Sequence, residues 1–391
     1  MDKGVRVLLT TQDATDGQAT LRRANLRRAL QLIFANPGEQ TRAGIARATG
    51  LTAATASSLV AELIEERIVA EGSRAASTGG KRATTLTVDA SHHLLLAVVI
   101  RPTDALAALV ALDGGTVYEE RIAFAAADRE RVLQDMLTRI SGRFGSRLLA
   151  ACVQVPGATD GRVVLESVQL DLTDRPLASE YEGILGVPVR LMNDVDAEAV
   201  AEAAVSGDGQ ILFIHLGTGI GASLTQDGDI APGPRLRGGE IGHVQVVFGE
   251  AGRACRCGRF GCLEAESSMS AMVGAEFSEA MTAAESVALI ERTDQEAIDR
   301  GATALARAIK LLAAMLDPTE IVLGGSARLL GERFLDKVRA AADYPSRGTV
   351  DVPIRYDGPH VLPYAGAAQA ALSAALGVHW TPGTLSSGGA R

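Results

Sequence analysis

The chain has 391 residues, of which 47% are hydrophobic and 22% charged, so it has an ordinary globular composition and room for two or three domains. Its formal net charge of −9, taken alone, argues against a nucleic-acid partner. No apolar segment has the length of a signal peptide or a membrane span, so we expect a cytoplasmic protein with no membrane partner.

The charge is unevenly distributed along the chain. Residues 1–90 carry 12 Lys/Arg and 9 Asp/Glu, and residues 20–82 carry 10 and 5, so the amino-terminal part is basic while the remainder is acidic. A solvated protein face could have the same excess, and charge alone therefore does not identify a partner.

Residues 20–90 have the element order of a winged helix-turn-helix. The predicted elements are a helix from Leu21 to about Asn36, a helix capped by Thr41 and ending at Thr49, a helix capped by Thr52, and strands Ile68–Glu71 and Thr84–Val88. The loop between the strands contains Gly79-Gly80-Lys81-Arg82. This order predicts a DNA-binding domain, although a small helical dimerisation domain would give the same pattern.

In a winged helix-turn-helix the third helix would read the major groove. The residues it would offer are Thr52, Ala53, Thr55, Ser57 and Ser58. The wing would add Arg74, Lys81 and Arg82. Contacts with DNA phosphates could come from Arg22, Arg23, Arg27, Arg28, Arg42 and Arg47.

After Ala90 the chain alternates strands and helices, which predicts an α/β body of two lobes around a cleft. It opens with a predicted three-strand meander, Leu94–Ile100, Ala105–Leu112 and Thr116–Phe124, in which Asp113-Gly114-Gly115 forms a hairpin turn. We expect disorder in residues 1–19 and 382–391, a DNA-binding domain at 20–90 and a sensor domain at 91–381. Its first lobe would comprise about 91–196 and 363–381, and its second lobe about 197–362.

One imidazole and three thiols lie close together in the sequence: His243, Cys255, Cys257 and Cys262. This set suits a tetrahedral structural zinc ion, and Gly258 and Gly261 allow the chain to fold back on itself. Three buried free thiols beside an unrelated histidine are the alternative, which is less favoured because three Cys in eight residues are compositionally rare.

The same segment resembles a family signature. Gly239-Glu240-Ile241-Gly242-His243, eleven further residues and then Cys-x-Cys-Gly-x-x-Gly-Cys-x-Glu is similar to the pattern of the ROK family (repressors, open reading frames and sugar kinases). The resemblance covers about residues 21–380. It implies an α/β fold in which a winged helix-turn-helix precedes a two-lobed actin/hexokinase-like, ribonuclease H-like domain. It further implies zinc on the four residues above and a sugar in the cleft.

The resemblance implies sugar contacts from Asn193, Asp194, Glu240, His243 and Glu264. Asn193 and Asp194 follow a predicted strand, Val187–Met192, and in a kinase this aspartate would take the proton of the attacking hydroxyl. Capping of the following helix is an alternative role for this pair. For His243 we expect one ring nitrogen on zinc and the other toward the sugar.

The family's kinases begin their first lobe with Asp-x-Gly-Gly-Thr, where this chain has Val99, Ile100, Arg101, Pro102 and Thr103. The acid and both glycines are replaced, and proline removes a backbone donor. A similar run, Asp113-Gly114-Gly115-Thr116, occurs at the next turn, but it is one residue shorter than the kinase motif. Gly217–Gly221 is similar to the family's phosphate loop, although it could serve only as a tight turn, and Leu323-Gly324-Gly325-Ser326 resembles its adenosine-side turn.

The sequence therefore predicts a sugar-responsive ROK-type regulator, in most such cases a repressor, with no kinase activity. Its partners would be operator DNA and a sugar or sugar phosphate, and near-palindromic operators would require at least a dimer, as a homodimer or homotetramer. An ATP-dependent sugar kinase with a fused DNA-binding domain is the alternative, favoured by Asp194 and the Gly217–Gly221 loop. A third possibility is a scaffold that responds to a protein partner.

Overall fold

The computed structural model describes residues 17–74, 83–206, 209–231, 233, 238–279, 281–342, 352–358, 362–381 and 384–385. The chain divides into two compact units, residues 1–197 with 360–391, and residues 198–359. The segments predicted to be disordered, 1–19 and 382–391, lie almost entirely outside the described residues.

The helices and strands are numbered in chain order. The helices are α1 Gly17–Ala35, α2 Arg42–Thr49, α3 Ala53–Glu65, α4 Arg129–Phe144, α5 Leu177–Leu185, α6 Asp194–Ser206, α7 Leu263–Ser267, α8 Met269–Val273, α9 Ala283–Glu291, α10 Gln295–Leu316, α11 Gly331–Ala342 and α12 Ala365–Leu376. The strands are β1 Val69–Arg74, β2 Thr84–Val88, β3 Leu94–Ile100, β4 Asp104–Ala111, β5 Thr116–Ala123, β6 Leu148–Val155, β7 Ala158–Thr159, β8 Val164–Ser167, β9 Leu172–Arg175, β10 Val189–Asn193, β11 Gln210–Leu216, β12 Ile220–Gln226, β13 Asp229–Ile230, β14 Glu320–Gly325 and β15 Ile354–Tyr356.

The first three helices and the first two strands have the order of a winged helix-turn-helix. The Thr41 hydroxyl caps α2 by accepting the Gly44 N–H at 3.1 Å, and the Thr52 hydroxyl caps α3 by accepting the Thr55 N–H at 3.1 Å. Gly50 ends α2 with a φ of +73°, which glycine adopts without steric cost. Threonine caps and a glycine stop thus delimit the two helices that the sequence predicted.

A small core of their own holds these helices together. Its buried side chains are Leu26, Leu30, Ile33, Ile45, Leu59 and Leu63. Strands β1 and β2 pair antiparallel with Val69 opposite Val88, and Gln40 adds an isolated bridge to Leu86. Apolar burial at helical spacing is therefore the force that organises this part of the first unit.

The rest of the first unit is built on a five-stranded sheet in the order β10-β6-β3-β4-β5. Strands β3, β4 and β5 form the predicted antiparallel meander, whereas β6 pairs parallel with both β3 and β10. Every residue of β3 and β4 is buried, as expected for strands that are covered on both faces. A separate three-stranded sheet, β7-β8-β9, follows β6.

The segment after α12 returns to α1 within the first unit. The Gln31 amide donates to the His379 carbonyl at 3.1 Å and its oxygen accepts the His379 N–H at 2.8 Å. The buried Trp380 indole donates to the Leu112 carbonyl at 2.7 Å, beyond the end of β4. The segment therefore connects α1 with the five-stranded sheet.

The second unit is built on a sheet in the order β13-β12-β11-β14-β15. Strand β11 pairs antiparallel with β12 and parallel with β14, with Phe213 opposite Ser223 and Val322 respectively. Helices α10 and α11 supply Leu305 and Phe334 to the core of this unit. Among the described residues, no helix is both long and apolar enough to cross a membrane.

Candidate functional site

The four predicted zinc ligands converge in the second unit. One donor atom from each of His243, Cys255, Cys257 and Cys262 lies within 4.8 Å of the other three. The Cys257 and Cys262 sulfurs are 3.7 Å apart, and the Cys255 sulfur is 3.7 Å from His243 Nδ1. A tetrahedral zinc with Zn–S bonds of about 2.3 Å would separate two sulfurs by about 3.8 Å. The donor set and its spacing therefore fit the metal.

The loop reaches this geometry through two glycines with positive φ. Gly258 has a φ of +84°, and its N–H donates to the Cys255 carbonyl at 2.9 Å. Gly261 has a φ of +68°, and a Cβ there would lie 1.8 Å from the Val247 carbonyl oxygen. The turn and the close approach thus require glycine at both positions, as the sequence pattern indicated.

Glu264 lies two residues after the last cysteine, Cys262, on α7. Its carboxylate is buried and receives two bonds from Arg256, Nε to Oε1 at 2.9 Å and Nη2 to Oε2 at 3.1 Å. Arg256 stands between Cys255 and Cys257 and its side chain is 73% exposed. The metal loop therefore also positions the guanidinium that holds this carboxylate. Sequence reasoning missed Arg256 because it occupies a variable position of the cysteine pattern.

Glu240 immediately precedes a short 3-10 turn, Ile241–His243, and His243 is the last residue of that turn. Glu240 is exposed, and His243 is partly buried with its Nδ1 on the side of Cys255. This orientation agrees with the expectation that one ring nitrogen faces the metal. The predicted sugar contacts of Glu240, His243 and Glu264 stay predictions.

Asn193 and Asp194 belong to the first unit, at the junction of β10 and α6. The Asn193 side-chain oxygen accepts the Val195 N–H at 2.8 Å and the Asp196 N–H at 3.2 Å, and its amide donates to the Gly157 carbonyl at 2.8 Å. Asn193 thus makes the capping contacts that the sequence left open as an alternative. A sugar contact by either residue stays a prediction.

The predicted DNA-reading residues lie on the exposed face of α3 and its cap. Ala56, Leu59, Val60 and Leu63 of α3 are buried, whereas Thr52, Ala53, Thr55, Ser57 and Ser58 are exposed. Of the basic residues, Arg22 is ion-paired with Glu62 and Arg42 with Glu71. Lys81, Arg82 and the side chain of Arg74 lie outside the described residues, so the wing stays a prediction.

The sequence of this chain is similar to those of known proteins. The sequence pattern of the ROK family matches residues 96–351. A putative xylose repressor from Caldicellulosiruptor sp. is 26% identical over 330 residues, covering 76% of this chain and 82% of its own. An N-acetylmannosamine kinase from Shigella boydii is 30% identical over 274 residues, covering 66% of this chain and 91% of its own.

A solved structure has the same fold over nearly the whole chain. The crystal structure of a ROK family transcriptional regulator, described as a homologue of the E. coli MLC protein, superposes with a TM-score of 0.74. The match covers 91% of this chain and 98% of the other at 19% identity. The predicted fold class is thereby confirmed.

Proposed function

Because the chain belongs to the ROK family, we propose that it is a sugar-responsive transcriptional regulator, of the repressor type, that binds operator DNA. The observation that carries the proposal is the winged helix-turn-helix order of elements in front of the ROK domain. The family pattern begins at residue 96, whereas the match to the regulator structure extends over 91% of the chain and so includes part of this amino-terminal region.

The ligand of this regulator would be a sugar or sugar phosphate bound by carboxylates beside a structural zinc. The buried Glu264 carboxylate supports this, because it presents a charged acceptor whose present partner is an exposed guanidinium. A sugar hydroxyl could share or replace the bonds from Arg256. Zinc on His243 and the three cysteines would hold the loop in place and would have no open coordination position for chemistry. Xylose and N-acetylmannosamine are the first sugars to test, given the names of the relatives.

Loss of kinase chemistry is part of the proposal. The turn between β3 and β4 carries Arg101 and Pro102, and the Arg101 guanidinium is paired with Asp104 at 3.1 Å. Proline offers no N–H to a phosphate, so the turn lacks one of the donors that phosphoryl transfer uses for positioning.

The kinase alternative is supported by the N-acetylmannosamine kinase relative and by Asp194. Purified protein with ATP and a panel of hexoses, pentoses and N-acetylhexosamines should form no sugar phosphate above the background without protein. Turnover that disappears in Asp194→Ala would contradict the proposal and make the protein an enzyme.

DNA binding is tested most sharply by Thr55→Glu. Thr55 is the third residue of α3, and Thr52 caps the helix, so glutamate at position 55 would complete a capping box and should preserve or raise helix stability. The same carboxylate would face the phosphates and base edges of DNA. We expect affinity for the protein's own promoter DNA to fall by about ten-fold or more while the melting temperature stays constant or rises.

Thr138→Glu is the matched control, because Thr138 lies on the exposed face of α4 and the substitution adds the same charge. It should leave DNA affinity unchanged in a fluorescence anisotropy titration. Equal DNA affinity of Thr55→Glu and the wild type would contradict the assignment of α3 as the reading helix. Sedimentation of the same samples should give at least a dimer, a homodimer or homotetramer.

A further inference from the structure

A carboxylate from a distant loop lies against the turn between β11 and β12. The turn is closed by the Gly217 N–H, which donates to the Gly219 carbonyl at 2.9 Å. Glu279, between α8 and α9, places its Oε1 2.8 Å from the Thr218 N–H and 3.1 Å from the Thr218 hydroxyl. Two neutral donors of one residue thus converge on a single carboxylate oxygen.

A histidine adds positive charge to the same place. His215 Nδ1 is 2.8 Å from Glu198 Oε2, and its Nε2 is 3.9 Å from Glu279 Oε1. Burial opposes a charged imidazole, but the carboxylate of Glu198 raises the pKa of His215 well above its ordinary value. Interaction with His215, together with the Thr218 donors, lowers the pKa of Glu279 to about 2. At neutral pH an anion therefore lies beside a cation.

The missing side chain of Gly217 makes room for this anion. A Cβ on Gly217 would lie 2.0 Å from Glu279 Oε1 and 2.7 Å from His215 Nε2. Gly217 does not have a positive φ, so space and not backbone conformation calls for glycine here. The carboxylate is bordered by a backbone N–H, a hydroxyl and an imidazolium, which are groups that also bind an oxygen of a phosphate.

We propose that Glu279 is a built-in occupant of the Gly217–Gly219 turn, which resembles the family's phosphate loop, and that its carboxylate excludes free and nucleotide phosphates from this turn. Glu279 lies on a loop and its side chain is 47% exposed, so the fold does not depend on burying it. The site goes beyond the proposed regulator function, and phosphate binding is measured without sugar or DNA. Failure of one proposal therefore leaves the other intact.

The test compares the full chain with Glu279→Ala and Glu279→Gln, using inorganic phosphate as the probe in equilibrium dialysis. Glu276→Ala is the matched control, because Glu276 lies on the same loop and pairs with Arg292 at 3.5 Å. Both alanine variants remove one negative charge. Glu279→Ala should bind phosphate at least about ten-fold more tightly than the wild type and Glu276→Ala, as expected when like-charge exclusion ends. Glu279→Gln should be intermediate, because the amide oxygen still fills the site without charge.

Addition of Gly217→Ala to Glu279→Ala locates the bound phosphate. The new Cβ would lie 2.7 Å from His215 Nε2, in the place that the Glu279 carboxylate leaves, so the gain in phosphate affinity should disappear. Equal phosphate affinity of the wild type and both folded Glu279 variants would overturn the proposal. An equal gain in Glu276→Ala, or a gain that persists with Gly217→Ala, would also overturn it. Circular dichroism on every variant verifies folding, and Glu279→Gln keeps the test decisive if the alanine variant does not fold.

Discussion

At the scale of single residues, Arg256 connects the proposed metal site with the proposed sugar contact. It stands between two proposed zinc ligands, and its guanidinium makes two bonds to the buried Glu264. A loop that lost its metal would therefore release both the cysteines and the partner of this carboxylate. The zinc ion would thus stabilise the loop directly and order the proposed sugar contact indirectly.

Cys257→Ser should remove this arrangement. The wild type, purified without added metal, should contain about one zinc per chain, and the variant much less, because a hydroxyl is a far poorer zinc ligand than a thiolate. Loss of a structural metal costs folding free energy, and each kcal/mol lost should lower the melting temperature by roughly 2–4 °C in a domain of this size. Metal analysis and a thermal melt check both.

Cys152→Ala is the control for the cysteine substitution. Cys152 is a buried thiol of β6 outside the cluster, and its burial raises the pKa to about 12, so it stays a neutral thiol. This variant should retain the full zinc content. The zinc assignment would be contradicted if the wild type contained no metal and were as stable as Cys257→Ser. It would also be contradicted if Cys257→Ser contained as much zinc as the wild type.

At the scale of elements, the segment after α12 ties the helices of the predicted DNA-binding domain to the sheet of the first unit. Gln31 of α1 exchanges two hydrogen bonds with the backbone of His379, and the adjacent Trp380 is buried at 4% exposure. Part of the predicted sensor domain therefore contacts the predicted DNA-binding domain directly. Stability of the first unit should depend on this segment.

Trp380→Ala should lower the free energy of unfolding by about 3–5 kcal/mol, as large aromatic truncations in a core do. Trp380→Phe keeps most of the ring but loses the bond to the Leu112 carbonyl, so it should cost less, on the order of 1–3 kcal/mol. Urea denaturation measures both. A cost below about 1 kcal/mol for the alanine variant would mean that the segment is only loosely attached.

The elements also show what sequence could predict. Strand β3 was predicted with its observed ends, because its uninterrupted apolar run leaves few alternatives. Sheet β7-β8-β9 and helices α5 and α9 were not predicted. The three strands have only two to four residues each, too few for a periodic signal.

In the candidate site, too, some contacts could be predicted from the sequence and others could not. The four zinc donors fall within twenty residues of sequence, so local spacing was sufficient to predict their cluster. The contact of Thr218 with Glu279 joins residues 61 positions apart, and nothing in either local sequence indicates the other. Pairings of this kind follow from the tertiary fold, which brings a loop between two helices onto a turn between two strands.

At the scale of the whole molecule, the proposed regulator must combine DNA binding with sugar sensing. A ligand can change DNA affinity only by its differential affinity for two states of the protein. The two activities should therefore be separable by substitution: Thr55→Glu should lose DNA and keep sugar binding, whereas a change in the sugar contacts should do the reverse. A thermal-shift screen of sugars and sugar phosphates identifies the ligand, because a ligand that binds only the native state raises the melting temperature.

Glu264→Gln tests the second half of this separation. The substitution keeps the shape of the side chain but removes the charge, and hydrogen bonds to charged groups contribute roughly 1.5–3 kcal/mol. Affinity for the sugar found in the screen should fall about ten- to a hundred-fold in calorimetry. Promoter DNA should bind with unchanged affinity, but its release or recruitment should require a correspondingly higher sugar concentration.

Glu276→Gln is the control: it removes a carboxylate from an exposed loop and should change neither the sugar affinity nor the DNA affinity. Unchanged sugar affinity in Glu264→Gln would place the sugar elsewhere. If Glu264→Gln lost DNA binding while it kept its full zinc content, the ion pair of Glu264 with Arg256 would stabilise the fold. The substitution would then have an effect in the absence of any sugar.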